Sequence, residues 1–264
     1  MGESLRKFGL QSRPRRLPFA NVLQRTDESA PPVLMVLHQE MSTPGRVGQH
    51  LIARGYSLDV RRPALGDPLP DTLARHAGVV VFGGPMSAND DTDFIKREIE
   101  WLSVPLKEEK PFLGICLGAQ MMARQLGATV CFHPEGMSEC GYYPIRVTDD
   151  ARMVTEAWPS HVYQWHREGF DLPTGAVLLA EGDIFQVQAY RYGPAAYGIQ
   201  FHPEVTHHMM CRWTTRGHAR LDTPGAKPRV EHFADRPVYD PAVRAWLGDF
   251  LDRWVQPVTT TAKP

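Results

Sequence analysis

The chain has 264 residues, 42% of them hydrophobic and 22% charged, which is the composition of an ordinary globular protein that can bury a sizeable core. Its formal net charge of −1 excludes a global attraction to nucleic acid or to an anionic membrane surface. The sequence has no apolar stretch long enough to span a bilayer and no apolar core of a secretory signal at its N-terminus.

The cysteines indicate a reducing compartment. The chain has 4 cysteines, none of them in a C-x-x-C pair, which is too few for a disulfide framework in a chain of this length. We therefore predict free thiols and a cytoplasmic location.

The domain organisation is predicted to be simple. Residues 1–30 are basic, interrupted by proline and weakly patterned, which predicts a mobile N-terminal extension. Residues 31–256 show no linker or internal repeat and are predicted to form a single domain. Residues 257–264 are predicted to form a C-terminal tail outside the domain.

The first half of the domain alternates predicted strands and helices. In chain order these are a strand over 33–37, a helix over 46–54, strands over 56–62 and 77–84, a helix over 93–109, a strand over 111–115, a helix over 117–127 and a strand over 128–133. On the helix over 93–109, Phe94, Ile95, Ile99 and Leu102 form the apolar face and Asp93 is the expected cap. The alternation predicts an α/β fold with a doubly wound, mostly parallel sheet flanked by helices.

The second half has a different pattern. Five short apolar segments separated by turns predict strands over 142–149, 161–168, 176–183, 185–193 and 195–202. Some of these should form a small antiparallel patch on one edge of the sheet. A short helix over 205–216, a surface loop over 217–241 with four prolines, and a closing helix over 241–255 complete the prediction.

The stretch GICLG at 114–118 places a cysteine between a predicted strand and a predicted helix. The spacing Gly114-x-Cys116-x-Gly118 is the glycine-flanked turn that exposes a nucleophile in several hydrolase folds. The glycines are expected because strand and helix pass too close for a Cβ, and the amide of Leu117 is placed to bind an oxyanion. The alternative is an ordinary buried cysteine at a glycine-rich turn.

A second glycine loop, FGGPMS at 82–87, follows another predicted parallel strand. Parallel strands deliver their carboxyl ends to one edge of a sheet, so this loop should meet Cys116 there. An amide at Gly83 or Gly84 could be the second oxyanion donor, although a simple Gly-Gly-Pro turn has the same sequence.

A cysteine nucleophile needs a general base, and the sequence contains four histidines in a pattern suited to that role. His-x-Glu units, in which both side chains of an extended segment face one side, begin at His38, His133, His166 and His202. Two of them are preceded by phenylalanine, FHPE at 132–135 and again at 201–204. The spacing alone leaves His133 and His202 as equal candidates.

Two clusters of potential metal-ligating side chains occur in the sequence. His207, His208, Cys211 and His218 could form a zinc site, and Asp90, Asp91 and Asp93 could bind a divalent ion. A helix face beside the active-site edge and a solvated acidic loop explain them better, so no metal site is predicted.

Three blocks in order, GGPMS (83–87), GICLGAQ (114–120) and GIQFHPE (198–204), resemble the class I, or triad, glutamine amidotransferases. The resemblance covers about residues 33–210 and is strongest to stand-alone members similar to the glutaminase domain of GMP synthase. It implies a flavodoxin-like architecture, a glutaminase that needs no cofactor, and a triad of Cys116 as nucleophile, His202 as base and Glu204 as its orienting partner. The oxyanion amides would be those of Gly84 and Leu117.

The resemblance also implies further contacts to a bound glutamine or other γ-glutamyl amide. They come from Gly83, Gln120, Glu139, Trp165 and His166, although Arg167-Glu168 stands where relatives have Gly-Asp. Residues after the matched region contain no phosphate-binding glycine loop, so the ammonia acceptor either lies on a separate synthetase subunit or does not exist. The alternatives are a γ-glutamyl hydrolase or peptidase acting on a larger amide, and a non-catalytic binding subunit.

Overall fold

The computed structural model describes residues 30–255. Apart from residue 30, the predicted N-terminal extension and the predicted tail over 257–264 lie outside the described residues. In the described part of the chain no helix is long and apolar enough to cross a membrane.

The strands are short, as is usual for an α/β fold. They are β1 (Val33–Val36), β2 (Leu58–Arg61), β3 (Gly78–Val81), β4 (Phe112–Ile115), β5 (Val130–Phe132), β6 (Glu139–Pro144), β7 (Arg146–Val147), β8 (His161–His166), β9 (Glu168–Phe170), β10 (Val177–Glu181), β11 (Val187–Tyr192) and β12 (Ala196–Ile199). The helices are α1 (Gly45–Ala53), α2 (Asp93–Trp101), α3 (Ser103–Lys107), α4 (Leu117–Gln125), α5 (Asp149–Val154), α6 (His207–Arg216) and α7 (Arg229–Trp254), with short 3-10 turns at Pro63–Leu65 and His218–Asp222.

The central sheet has eight strands in the order β2-β1-β3-β4-β12-β11-β10-β7. The five strands from β2 to β12 are parallel, and β11, β10 and β7 extend the sheet in antiparallel fashion. The predicted mostly parallel α/β fold with an antiparallel edge is therefore confirmed.

Alternate residues of the central strands bury against opposite layers of helices. On β1, Val33 and Met35 belong to a core shared with α1 and α7, whereas Leu34 and Val36 belong to a core shared with α2 and α4. Strands covered on both faces have no polar side, which explains the uninterrupted apolar runs in their sequences.

The prediction that β5 continues the parallel sheet is wrong. β5 pairs with β9 in a separate two-stranded antiparallel sheet, and the neighbour of β4 is β12. Only the first residue of β5 is buried, while Cys131 and Phe132 are exposed, so this strand could not occupy a central position. The base candidate His133 follows β5 away from the nucleophile strand.

The predicted surface loop over 217–241 is also wrong in its second half, because α7 begins at Arg229 and runs unbroken to Trp254. Pro237 and Pro241 lie inside this helix, away from its buried face. Each proline removes one N–H donor, but on a solvent face water can satisfy the freed carbonyls. The opposite face packs Trp246, Leu247 and other apolar side chains into the core, which outweighs the cost of the prolines.

The helix predicted over 93–109 is divided into α2 and α3 at Leu102, and Thr92 rather than Asp93 occupies its N-cap position. Ile95 and Leu102 are buried as predicted. Glu98, on the same face, is completely buried, which the amphipathic pattern did not predict.

Candidate functional site

Cys116 lies at the turn between β4 and α4, in a backbone conformation that is rare for a residue with a side chain. Its φ is 50° and its ψ is −104°. Its amide donates to the Ile199 carbonyl at 2.8 Å and its carbonyl accepts from the Gln120 amide at 2.9 Å, so the strain is held from both sides. Such strain is typical of residues whose side chain must be presented to a ligand.

The flanking glycines are required by close packing, as predicted. A Cβ on Gly118 would lie 2.2 Å from the Val81 carbonyl oxygen, and one on Gly114 would lie 2.7 Å from the Ala119 amide nitrogen. Neither backbone atom can move without separating α4 from the sheet. The two glycines therefore let the helix start directly against the ends of the strands.

His202 and Glu204 follow β12, the strand beside β4. Glu204 Oε1 accepts a hydrogen bond from His202 Nδ1 at 2.8 Å, and both side chains are buried. The His202 backbone amide donates to the Tyr163 carbonyl, and the Trp213 ring meets the imidazole edge to face at 4.9 Å. The ring is thus oriented by a carboxylate on one nitrogen, while Nε2 has no hydrogen-bond partner within residues 30–255.

The electrostatics of this pair favour a charged imidazole. Burial alone would lower the pKa of His202, but the Glu204 carboxylate and the Cys116 sulfur outweigh it and raise the pKa to about 10. A histidine with this environment can hold a proton at neutral pH beside the thiol.

The glycine loop after β3 closes the site from the other side. A Cβ on Gly83 would lie 2.8 Å from His202 Cε1 and 3.5 Å from Cys116 Cβ, so both side chains flank this residue. A Cβ on Gly84 would lie 3.0 Å from Leu117 Cδ2. The amide of Leu117 is in the first turn of α4 and has no partner within the helix. The residues predicted to bind an oxyanion therefore lie together next to Cys116.

A cleft of about 460 Å³ opens at the carboxyl ends of the parallel strands. Its floor is formed by Gly83, Gly84, Cys116, His202 and Glu204, and Trp165 lies in its wall. The remaining lining residues are Leu37, Gln39, Glu40, Met41, Ser42, Thr43, Phe82, Pro85, Met209, Arg212, Trp213, Arg216, Gly217 and Arg220.

Three residues predicted to contact substrate lie instead in a buried polar cluster. Gln120 donates to the Glu168 carbonyl and to Gln200 Oε1, at 2.9 and 3.2 Å. His166 Nε2 lies 2.9 Å from Glu139 Oε2, and all of these side chains are buried. Trp165 and His166 are neighbours on β8 and so point to opposite faces, which places only Trp165 in the cleft. Gln120, Glu139 and His166 do not line the cleft.

The four His-x-Glu units behave differently. Only His202 is hydrogen-bonded to the carboxylate of its own glutamate. His166 pairs with Glu139, His133 accepts from the Glu135 amide and packs against Phe185, and His38 pairs with the distant Glu98. The structure thus brings His202, and not His133, to Cys116.

The zinc candidates do not form a cluster. His207 Nε2 and Cys211 Sγ lie 3.6 Å apart on α6. In the part of the chain that the structure describes, no group of three or more His, Cys, Asp or Glu side chains is arranged to hold a metal ion.

Sequence reasoning missed two parts of this site. One is the His38–Glu98 pair behind the glycine loop, whose long sequence separation gives no local signal. The other is a row of arginines, Arg212, Arg216 and Arg220, along one wall of the cleft. Their spacing of four within and just after the predicted helix could have identified this row.

Comparisons with known proteins agree with the geometry of a cysteine-centred α/β site. Residues 41–212 match the family model of the glutamine amidotransferase class-I domain, and the chain belongs to that family. It is 32% identical over 183 residues to the glutamine amidotransferase-like protein YfeJ of Salmonella typhimurium, covering 66% of this chain and 76% of that protein. It is 35% identical over 170 residues to one subunit of the glutamine-hydrolysing GMP synthase of Ignicoccus hospitalis, covering 61% of this chain and 79% of the relative.

Solved structures show the same fold. A glutamine amidotransferase of Thermotoga maritima has a TM-score of 0.76 and 31% identity, covering 86% of this chain and 98% of the other. A glutamine amidotransferase of Methylobacillus flagellatus has a TM-score of 0.80 and 26% identity, covering 86% and 95%. The predicted family, its enzyme class and its fold are confirmed.

Proposed function

We propose that the chain hydrolyses the γ-amide of glutamine through Cys116, His202 and Glu204. The observation that carries this proposal is the strained Cys116, held in the cleft beside a buried His202–Glu204 pair whose Nε2 is unpaired within residues 30–255. A nucleophile, a base and an orienting carboxylate in this order are the parts that acyl transfer from an amide requires.

The reaction would proceed in two steps. The Cys116 thiolate attacks the γ-carbonyl carbon, and the amides of Gly84 and Leu117 bind the resulting oxyanion. His202 donates its proton to the departing nitrogen, which leaves as ammonia, and a γ-glutamyl thioester remains. Water then attacks the thioester, His202 takes its proton, the C–S bond breaks and glutamate is released.

The ammonia is either released into solution or passed to a partner protein. The two cases predict different activities for the isolated chain. The name of the Ignicoccus hospitalis relative describes a subunit of GMP synthase. By analogy we propose a separate synthetase partner that accepts the ammonia. A glutaminase that serves a partner should be slow alone and faster when the partner is present.

A second candidate, hydrolysis of a larger γ-glutamyl amide, is favoured by the cleft. Arg212, Arg216 and Arg220 line it, and none of them forms an ion pair with a carboxylate of residues 30–255. Arg212 donates a hydrogen bond to the Met41 carbonyl at 2.6 Å, and Glu40 also lines the cleft. Guanidinium groups in this position would suit a carboxylate on the leaving amine, as in a γ-glutamyl dipeptide.

The test is a hydrolysis screen of the purified full chain on glutamine and on γ-glutamyl dipeptides, with Cys116→Ala as the control. We expect hydrolysis by the wild type and none by Cys116→Ala. Retained activity in Cys116→Ala contradicts the proposal, and so does an inert wild type that also fails to react with a glutamine-like electrophile at Cys116.

The arginine variants Arg216→Glu and Arg220→Glu separate the two candidates. If a dipeptide is the substrate, they should raise its KM by about tenfold or more and leave the KM of glutamine unchanged. An equal increase for both substrates would assign the arginines to the α-carboxylate that glutamine and the dipeptide share.

A further inference from the structure

A second buried histidine–carboxylate pair lies directly behind the glycine loop. His38 follows β1 and Glu98 lies on α2, 60 residues away, yet His38 Nε2 and Glu98 Oε1 are 2.9 Å apart. Both side chains are fully buried. Glu98 Oε2 has no hydrogen-bond partner within residues 30–255, so His38 is the partner that compensates this carboxylate.

The other ring nitrogen of His38 reaches the loop itself. His38 Nδ1 lies 3.2 Å from the Gly83 carbonyl oxygen. A carbonyl only accepts hydrogen bonds, so Nδ1 must carry a proton and donate. Burial alone would lower the pKa of His38, but the Glu98 carboxylate outweighs it and the pKa is raised.

The position of that carbonyl determines the direction of the neighbouring amide. The Gly83 carbonyl and the Gly84 N–H belong to one planar trans peptide, in which C=O and N–H point in opposite directions. Holding the carbonyl toward His38 therefore turns the Gly84 N–H away from His38. Neither glycine has a Cβ, so no side chain of its own restricts the backbone torsions on either side of this peptide.

We infer that the His38–Glu98 pair is a positioning device that holds the Gly83–Gly84 peptide with its N–H directed at the oxyanion. This inference rests on the proposed function, because it takes Gly84 as an oxyanion donor. His38 would touch neither substrate nor Cys116 and would act only through the peptide. Loss of one oxyanion donor lowers kcat by about 10²–10³ in hydrolases, which sets the upper limit of the effect.

The test compares His38→Gln and Glu98→Gln with wild type and with a matched control, His76→Gln. His76 is also a buried histidine paired with a carboxylate, Asp59 at 3.1 Å, but it precedes β3 at the opposite end of the sheet. The measurements are kcat and KM for the best γ-glutamyl amide, the rate at which iodoacetamide alkylates Cys116, and the melting temperature.

We expect His38→Gln to lower kcat by about 10–100-fold and Glu98→Gln by at least about threefold, with KM changed less than threefold. Alkylation needs no oxyanion donor, so its rate should stay within about twofold of wild type, and His76→Gln should change neither quantity. An unchanged kcat in both variants overturns the inference. So does a parallel loss of kcat and alkylation, which would indicate a general collapse of the site.

Two further measurements apply if His38→Gln does not fold or if the wild type is inactive. If His38→Gln does not fold, Glu98→Gln alone decides. If the wild type hydrolyses no γ-glutamyl amide, the proposed function fails separately, and crystal structures of wild type and His38→Gln then test the device. A rotated Gly83–Gly84 peptide in the variant supports it, and an unrotated peptide overturns it.

Discussion

One methyl group at Gly83 should disable the site without unfolding the protein. In Gly83→Ala the new Cβ would lie 2.8 Å from His202 Cε1. Carbon atoms prefer a separation of about 3.5–4.0 Å, so the imidazole must retreat by roughly 0.7–1.2 Å. Glu204 holds the ring at 2.8 Å and Trp213 packs on it, so this movement breaks the alignment of the base with Cys116.

A displacement of about 1 Å in a catalytic group can cost about 10²-fold in rate. We therefore expect kcat for γ-glutamyl hydrolysis to fall about 100-fold, or about 2.7 kcal/mol in activation free energy. The matched control is Gly248→Ala on α7, where the Cβ would make an ordinary 3.4 Å contact with His50. It should keep full activity and gain up to about 1 kcal/mol of stability from helix propensity. A kcat for Gly83→Ala within threefold of wild type would show that the position of the His202 ring does not depend on Gly83.

Three other predictions address packing, charge and the buried cluster. Gly118→Ala would place a Cβ 2.2 Å from the Val81 carbonyl, so we expect a loss of at least about 2 kcal/mol in urea unfolding, and an unchanged midpoint would contradict the packing argument. The folded pKa of His202 is about 10 against 6.5 for the free side chain, so its contribution to the free energy of unfolding is full below pH 6.5 and is lost as the pH rises to about 10. The stability difference between wild type and His202→Gln should shrink over that range, and a constant difference would contradict the charged imidazole. Glu139→Ala removes the partner of a buried histidine and should cost about 3–5 kcal/mol of stability without changing the KM of glutamine, whereas a raised KM in a stable variant would return Glu139 to the substrate site.

The parts of the fold that could be predicted from sequence are those with strong local patterns. The apolar runs of β1, β3 and β4 and the glycines around Cys116 have direct physical causes, burial on both faces and close helix–strand approach. The position of β5 differs from the prediction because strands that follow one another in the chain need not be neighbours in the sheet. β5 exposes two of its three residues, and so short a strand has no alternation that marks this exposure.

The start of α7 illustrates a different limit. Pro237 and Pro241 weigh against a helix locally, but packing of the distant apolar face overrides that preference. The burial of Glu98 has the same origin, since its compensation comes from His38, 60 residues away. The residue pattern within α7 or α2 alone does not show which distant residues pack against it.

Among the site residues, the two glycine motifs predicted that Cys116, Gly83 and Gly84 meet at one edge of the sheet. The choice of His202 and Glu204 over the equally spaced His133 came from the family resemblance. Of the substrate contacts implied by the resemblance, Gln120, Glu139 and His166 are not among the residues that line the cleft. Glu139 and His166 are polar residues on paired strands, and the alternation of β8 turns His166 into the buried cluster while Trp165 faces the cleft. Predicting which face each side chain takes requires the sheet pairing.

The proposed reaction depends on attack by Cys116 on the γ-carbonyl of a γ-glutamyl amide. The most direct measurement is mass-spectrometric mapping of the full chain after treatment with a chloroketone analogue of glutamine. Cys131 is exposed and Cys211 half-buried, so both serve as internal references for nonspecific alkylation. We predict one adduct, on Cys116, that forms more slowly in the presence of glutamine and is absent from Cys116→Ala. Labelling of Cys131 or Cys211 in preference to Cys116, or labelling of Cys116 that glutamine does not slow, would show that Cys116 is not the nucleophile for a γ-glutamyl amide.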